Sequence, residues 1–164
     1  AMPLGDAGTK AIGNAQRLLD KARQQNVPVF HITHHGPENG NVFDPLSANV
    51  EIVEQLQPQD GEAVITKKHP NAFHGTQLQS MISSASKQQI IFAGFMSHMC
   101  VSSSVRAAFD LGFDSFVWHD ACATRNLPST KQETISAEVM HDTAMAALQD
   151  RFSALMTTDE LVNG

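Results

Sequence analysis

The amino-acid sequence predicts a single α/β domain over residues 1–164, in which a doubly wound, mostly parallel sheet carries helices on both faces as three layers. Segments with apolar residues three and four positions apart, the spacing of a helix face, alternate with short apolar segments typical of strands. Residues 90–95 form an apolar run without alternation, which is typical of a strand covered on both faces. The chain is 41% hydrophobic and contains no repeat or linker, so it suffices for one core.

The first half of the chain predicts two helices and two strands. Apolar residues recur at helical spacing over 9–25, and β-branched residues then predict a strand over 27–33. A loop containing glycine and proline follows this strand. A second strand over 62–66 leads to a helix over about 78–85.

The second half predicts three strands and two helices. After the strand over 90–95, a helix from about residue 101 ends near Gly112, because glycine readily takes the left-handed conformation of a helix cap. The helix predicted over 135–147 is expected to bury an apolar face that includes Val139 and Ala146. The remaining predicted elements are a strand over 115–118, a loop over 120–130, a helix over 135–147 and a strand over 153–157.

Charge and hydropathy argue against a nucleic-acid partner and a membrane partner. The net charge is −6 and the lysines and arginines do not cluster, so we expect no nucleic-acid partner. No apolar run approaches the roughly 20 residues that a membrane span requires. The first residues lack the basic and apolar regions of a signal peptide, so we expect a cytoplasmic protein with no membrane partner.

Cys100 is a candidate nucleophile because of its position. It lies between the carboxyl end of the strand over 90–95 and the start of the next helix. Unpaired N–H groups at a helix N-terminus favour a thiolate and stabilise an oxyanion. Position alone leaves open the alternative that Cys100 is a small buried apolar residue, as most free cysteines are. The chain's other cysteine, Cys122, is in no disulfide or metal-binding spacing with it, so both are expected to be free thiols.

Several ordered motifs resemble one enzyme family. GFMSHMCVSSSVRAAFDLGF followed by HDACAT closely resembles the G-x-x-(T/S)-x-x-C-V…DACA signature of the isochorismatase-like cysteine hydrolases. Upstream, ITKKHPNAFHGTQL is similar to the family's lysine-containing segment, and HDTAMAALQDRFSALMTTDEL resembles its closing helix and strand. The resemblance extends from about Lys10 to the C-terminus and implies the family's Rossmann-like fold. Its members include nicotinamidases, N-carbamoylsarcosine amidases and isochorismatases.

The resemblance implies roles for individual residues. Cys100 takes the position of the family's nucleophile and Lys67 that of its catalytic lysine, with Lys68 as the alternative. An ammonium group beside a thiol favours the thiolate and stabilises the negative charge of the attacked carbonyl. The resemblance also implies an oxyanion hole formed by the backbone N–H groups of Met96 and Cys100. It further implies a cis peptide bond between Phe95 and Met96.

One part of the family pattern has no counterpart in this sequence. Relatives begin with a strand of the type L-L-V-I-D-x-Q, whose aspartate accepts the thiol proton and which lies in the centre of the sheet. Here Asp6 has no apolar strand before it. The two strands that would flank the missing one would keep unpaired N–H and C=O groups. We therefore expect the family's first central strand to be absent, with the chain N-terminally incomplete or a partner segment supplying the strand.

The resemblance implies acyl chemistry. We expect an amide, ureido or carbamoyl substrate that is opened through a thioester on Cys100. Two alternatives remain: a hydrolase that acts on a vinyl ether, as isochorismatases do without requiring the cysteine, and a non-catalytic binding protein. Homo-oligomers, dimers or tetramers, are common in the family and are expected here. The residues expected to line the substrate cleft are Phe73, His74, His98, His119 and residues of the 34–46 loop, although His119 and Asp120 alternatively orient loops at a strand end.

The sequence predicts no metal site and no cofactor. Nicotinamide-hydrolysing relatives carry a D-x-H…H metal site after the second strand, and the corresponding segment FHITHHGPENG lacks the aspartate. Strand alternation would place His31 and His35 on one side and His34 on the other, so the three imidazoles do not converge. A zinc site needs three or four converging ligands.

Overall fold

Helices and strands alternate along the chain in the computed structural model, which describes residues 4–39, 43–86 and 88–162. The helices are α1 (Gly5–Gln24), α2 (Leu78–Ser84), α3 (Ser102–Asp110), α4 (Ala137–Gln149) and α5 (Thr158–Val162). The strands are β1 (Phe30–His34), β2 (Ala63–Lys67), β3 (Gln89–Phe95), β4 (Asp114–Ala123), β5 (Leu127–Pro128), β6 (Thr134–Ile135) and β7 (Ala154–Met156). Short 3₁₀ helices span Ala48–Val50 and Glu54–Leu56, and one π-helical turn spans Ser97–Val101.

Parallel pairing dominates the strands. β1 pairs with β2 in a register that places His34 beside Lys67. β3, β4 and β7 form a second parallel sheet in that order, and β5 and β6 form an antiparallel hairpin. Among the described residues, β1 and β3 each pair with one strand only. The expected absence of the family's first central strand stays a prediction.

β4 carries helices on both of its faces. Val117 is fully buried in a cluster whose other members come from the π turn, α3, β4 and α4: Val101, Val105, Cys122, Met145 and Leu148. The next residue, Trp118, is also buried, but it packs against Ala15 and Leu18 of α1. Because successive side chains of a strand point to opposite faces, these two clusters confirm the predicted helix–sheet–helix layering.

β3 is covered less fully than its apolar sequence predicts. Ile90 and Phe92 pack against buried clusters, whereas Ile91 is 45% exposed and Ala93 is also exposed. The prediction that this strand is covered on both faces is therefore wrong for the described residues. A strand that is apolar throughout can be buried on both faces. Whether it is buried depends on helices or strands from other parts of the chain that pack against it.

β4 is longer than its sequence indicates. The strand continues through residues 119–123, where the sequence predicts a loop from residue 120. After an irregularity in register between Phe92 and Gly94, Gly94 pairs with Cys122 and Phe95 with Ala123. Pairing with β3 and burial of the last three strand residues therefore outweigh the local turn propensity of this segment.

The buried face of α4 also differs from the predicted one. Val139 is 54% exposed and Ala146 is exposed, whereas Met145 and Leu148 are buried. Met145 and Leu148 are three residues apart, so they share one side of the helix. The apolar residues of α4 are spread around the helix, and the sequence pattern favoured the wrong side.

None of the described helices is long and apolar enough to cross a membrane.

Glu62 connects α1 to the β1–β2 pair. Its carboxylate accepts hydrogen bonds from Arg23 Nε and Nη2 of α1, both at 2.8 Å, and lies 2.8 Å from Nε2 of His31 in β1. The side chains of Arg23 and Glu62 are 18% and 12% exposed. The Arg23 hydrogen bonds lower the pKa of Glu62 well below its usual value, and burial opposes only part of that shift.

Replacing Glu62 by glutamine is expected to destabilise the fold in a pH-dependent way. The variant should lose about 1–2 kcal/mol of unfolding free energy at pH 7 in urea titrations, because the charged hydrogen bonds from Arg23 are weakened. The folded-state pKa of Glu62 lies below its unfolded value of 4.5, so its contribution is present above that pH and is lost as the pH falls through the folded value. The exposed Glu51 provides the control Glu51→Gln. A deficit that is as large at pH 3 as at pH 7 would contradict the assignment.

Candidate active site

Three chain segments converge at the carboxyl ends of the parallel strands. His34 is the last residue of β1 and Lys67 is the last residue of β2. Cys100 lies in the π turn that follows β3 and precedes α3. The parallel pairing of β1 with β2 places His34 beside Lys67, and the contact of Lys67 with Cys100 shows that β3 ends at the same place.

The centre of the site is the Lys67 ammonium group. Nζ lies 3.1 Å from Sγ of Cys100, 2.9 Å from Nδ1 of His34 and 2.9 Å from the carbonyl oxygen of His69. Lys67 is only 4% exposed. An ammonium group has three hydrogens, and here it has three acceptors. This complete set of partners offsets the cost of burying the charge.

The protonation of His34 follows from the same contacts. With Lys67 as an ammonium group, which only donates hydrogen bonds, Nδ1 of His34 is the acceptor, and this corresponds to the neutral imidazole with its proton on Nε2. Burial lowers the pKa of His34, and the charge of Lys67 lowers it further, with smaller effects of His35 and His69. The Sγ of Cys100 lies 3.9 Å from the same Nδ1.

The turn that carries Cys100 is tightly held. The peptide bond between Phe95 and Met96 is cis, as the sequence resemblance implies. The carbonyl oxygen of Met96 accepts hydrogen bonds from the backbone N–H groups of Met99 at 3.1 Å and Val101 at 3.2 Å. Met96 is buried at 5% exposure, so the residue whose N–H group is expected in the oxyanion hole lies at the inner end of the turn.

Ser104 links the cysteine helix to the segment after the lysine strand. Its hydroxyl oxygen accepts a hydrogen bond from the backbone N–H of Ala72 at 3.0 Å, and the hydroxyl donates to the carbonyl of Pro70 at 3.4 Å. Ser104 is 4% exposed. Its position in the first turn of α3 thus fixes the separation between Cys100 and Lys67.

The predicted cleft residues lie in different surroundings. His74 is exposed and packs edge-on against His69, whose carbonyl binds Lys67, with ring centroids 4.5 Å apart. His98, two residues before Cys100, lies 2.5 Å through Nδ1 from the hydroxyl of Thr124.

The other two predicted cleft residues contact neighbours away from the Lys67 ammonium group. Phe73 stacks on Phe113 at 6.1 Å and packs against the apolar cluster beneath α2. His119 lies 6.3 Å from the ring of His141 in α4. The Asp120 carboxylate accepts hydrogen bonds from the backbone N–H of Thr158 at the start of α5 and from the amide of Asn14 in α1, so it joins these two helices to β4.

The sequence interpretation missed His34 as a partner of the cysteine and lysine. It considered His34 as a metal ligand or as a loop residue lining the cleft, and the available signal was its position at the end of the strand next to that of Lys67. Phe43 stacks on the imidazole with ring centroids 4.5 Å apart and 18° between the planes. The backbone N–H of Gly36 donates to the carbonyl of Phe43, and a Cβ at Gly36 would approach Phe43 to 3.3 Å, so this glycine permits the stacking.

Neither the expected aspartate nor a metal-binding cluster accompanies Cys100 in residues 4–39, 43–86 and 88–162. In these ranges no carboxylate is hydrogen-bonded to Cys100, Lys67 or His34, and no group of three or more histidine, cysteine, aspartate or glutamate side chains is arranged to hold a metal. His31 instead contacts Glu62, away from His34. The cysteine, lysine and histidine thus form a site based on one thiol and two nitrogen groups.

Comparison with known proteins places this site in a family. A family model described as an isochorismatase domain matches residues 3–160. A secreted isochorismatase effector of Verticillium dahliae is 33% identical over 148 residues, which cover 90% of this chain and 75% of that protein. The crystal structure of an isochorismatase from Pseudomonas putida is 36% identical, with a TM-score of 0.91 over 98% of this chain and 82% of the other. A nicotinamidase of Arabidopsis thaliana is 28% identical and is matched over 92% of this chain and 77% of its own length.

These matches extend over nearly the whole chain and agree with the fold described above. The match to the Pseudomonas putida structure covers 98% of this chain, so the two folds correspond over nearly all of it. The chain belongs to the isochorismatase family of hydrolases.

Proposed function

We propose that this protein is a cysteine hydrolase that opens the C–N bond of a small amide, ureido or carbamoyl compound through a thioester on Cys100. The observation that carries the proposal is the 3.1 Å contact between Nζ of Lys67 and Sγ of Cys100. Lys67 is buried at 4% exposure with its other two hydrogens bound. A cation held in this way favours a thiolate, which is the nucleophilic form of cysteine.

The proposed reaction has two stages. In the first, the Cys100 thiolate attacks the carbonyl carbon, and the oxyanion forms beside the N–H groups proposed at Met96 and Cys100. The C–N bond then breaks, and the Lys67 ammonium supplies the proton that the leaving amine requires. In the second stage, water attacks the thioester and returns a proton to the Lys67 amine. The acid is released and the thiolate–ammonium pair is restored.

One relative supports the choice of an amide. The Arabidopsis thaliana protein is a nicotinamidase by name, so a protein matched over 92% of this chain acts on a carboxamide. Only the class of bond, the C–N bond of a carboxamide, is carried over from this relative. The substrate is proposed to bind beside Cys100, with the exposed His74 and the half-buried His98 as candidate contacts.

Replacing Cys100 should abolish hydrolysis. We expect Cys100→Ala to lower ammonia or amine release from a panel of small amides and carbamoyl compounds by about 10³-fold or more, as loss of a covalent nucleophile does. Cys122→Ala is the matched control, because Cys122 is buried and burial raises the pKa of its thiol to about 12. This control should keep its activity when circular dichroism shows it folded. Hydrolysis that survives Cys100→Ala would exclude the thioester route.

Replacing Lys67 should lower the reactivity of Cys100. Lys67→Gln removes the buried cation beside the sulfur, so we expect the rate of Cys100 alkylation by iodoacetamide at pH 7 to fall about tenfold. Amide hydrolysis should fall with it. Mass spectrometry of the labelled peptides measures the rate at Cys100 and Cys122 separately.

Lys68 provides the control for this comparison. It follows Lys67 directly but is exposed. Lys68→Gln should therefore leave both the alkylation rate and the hydrolysis rate unchanged. An equal loss in the two variants would assign the effect to net charge rather than to the contact with Cys100.

A further inference from the structure

His34 is held in contact with both reactive groups, although the proposed reaction does not use it. Its Nδ1 lies 2.9 Å from Nζ of Lys67 and 3.9 Å from Sγ of Cys100. The ring stacks on Phe43 at 4.5 Å, which fixes its plane. The hydrogen bond from Lys67 and the stacking on Phe43 therefore hold the imidazole in one orientation, with a single nitrogen directed at the ammonium group.

Protonation of His34 is incompatible with this arrangement. A proton on Nδ1 would face a hydrogen of the Lys67 ammonium, and the ammonium would lose one of its three acceptors. It would also place a second positive charge 2.9 Å from the first. The groups that face the ring are Lys67 at the end of β2, His69 after it, Cys100 in the π turn and the neighbouring His35.

We propose that His34 is a positioning residue that switches the nucleophile with pH. As a neutral imidazole it holds the Lys67 ammonium against the Cys100 sulfur, and when Nδ1 takes a proton from solvent it releases that ammonium. No covalent bond changes in this step. The inference rests on the proposed function and deepens it, because it adds a condition under which the thiolate–ammonium pair is correctly placed.

Burial and the neighbouring charges lower the pKa of His34. The neutral form therefore dominates at neutral pH, and activity declines as the pH falls through this lowered value. Activity falls on the acidic side because only the neutral form of His34 can accept the hydrogen bond from Lys67 at Nδ1. A histidine that acted as an imidazolium would give the opposite slope.

Nuclear magnetic resonance of the ring nitrogens tests the geometry without a substrate. We expect the neutral ring to carry its proton on Nε2 and to titrate below 6.5, the ordinary value for histidine. Lys67→Gln removes the neighbouring positive charge, so it should raise the pKa of His34. A neutral ring protonated on Nδ1, or a pKa that Lys67→Gln leaves unchanged, would overturn the proposal.

Kinetic profiles of two His34 variants test the switch. Asn can place its side-chain oxygen near the position of Nδ1, so His34→Asn retains an acceptor that does not titrate. It should keep kcat/KM within about fivefold at pH 7.5 and move the acidic limb of the profile to lower pH. His34→Leu lacks the acceptor and should lose roughly tenfold to a hundredfold, the size expected for one hydrogen bond to a charged group. His35→Asn should keep kcat/KM at pH 7.5, and because His35 contributes to lowering the pKa of His34, this variant should move the acidic limb slightly to higher pH, opposite to His34→Asn.

The outcomes separate this inference from the proposed function. If hydrolysis depends on Cys100 but His34→Asn keeps the acidic limb of the wild type, or His34→Leu is as active as the wild type, the switch is overturned and the proposed function stands. If no amide or carbamoyl compound is hydrolysed, the proposed function fails. The resonance titration then still decides whether His34 is the neutral acceptor of the Lys67 hydrogen.

Discussion

The buried Lys67 ammonium is the interaction on which the rest of the site depends. Its three hydrogen bonds join the end of β1, the segment after β2 and the π turn before α3. Removing any one acceptor would leave a buried charge partly unsatisfied, which costs far more than an exposed hydrogen bond contributes. The fold therefore has to place three distant segments accurately, and the Ser104 hydrogen bonds and the helices packed on β4 do this.

The sequence predicted the architecture because helical and strand periodicities are local properties. The alternation of elements, the parallel pairing and the cap at Gly112, which takes φ of 83°, all follow from patterns within a few residues. The extension of β4 could not be predicted in this way. Residues 119–123 have turn-forming composition, and only their pairing with β3 and their burial keep them extended.

Part of the site could also be predicted from local sequence patterns. Cys100 and Lys67 belong to motifs with fixed local spacing, and the structure brings them to 3.1 Å. His34 was missed because its role depends on the register of β1 with β2 and on the ring of Phe43, neither of which the sequence specifies. Phe73 and His119 were predicted at the cleft from their proximity to motifs, but their ring contacts are with Phe113 and His141.

The packing of α1 on β4 has a consequence for how the chain reaches its fold. Asn14 of α1 bonds to Asp120, 106 residues further along the chain, and Ala15 and Leu18 pack against Trp118. A ribosome produces α1 first, so its apolar face stays without its partner until β4 has been synthesised and released from the exit tunnel. Contacts of such long sequence separation form slowly, and unburied apolar surface favours aggregation in the meantime. The face of α1 is therefore incompletely packed during synthesis of the segment between α1 and β4.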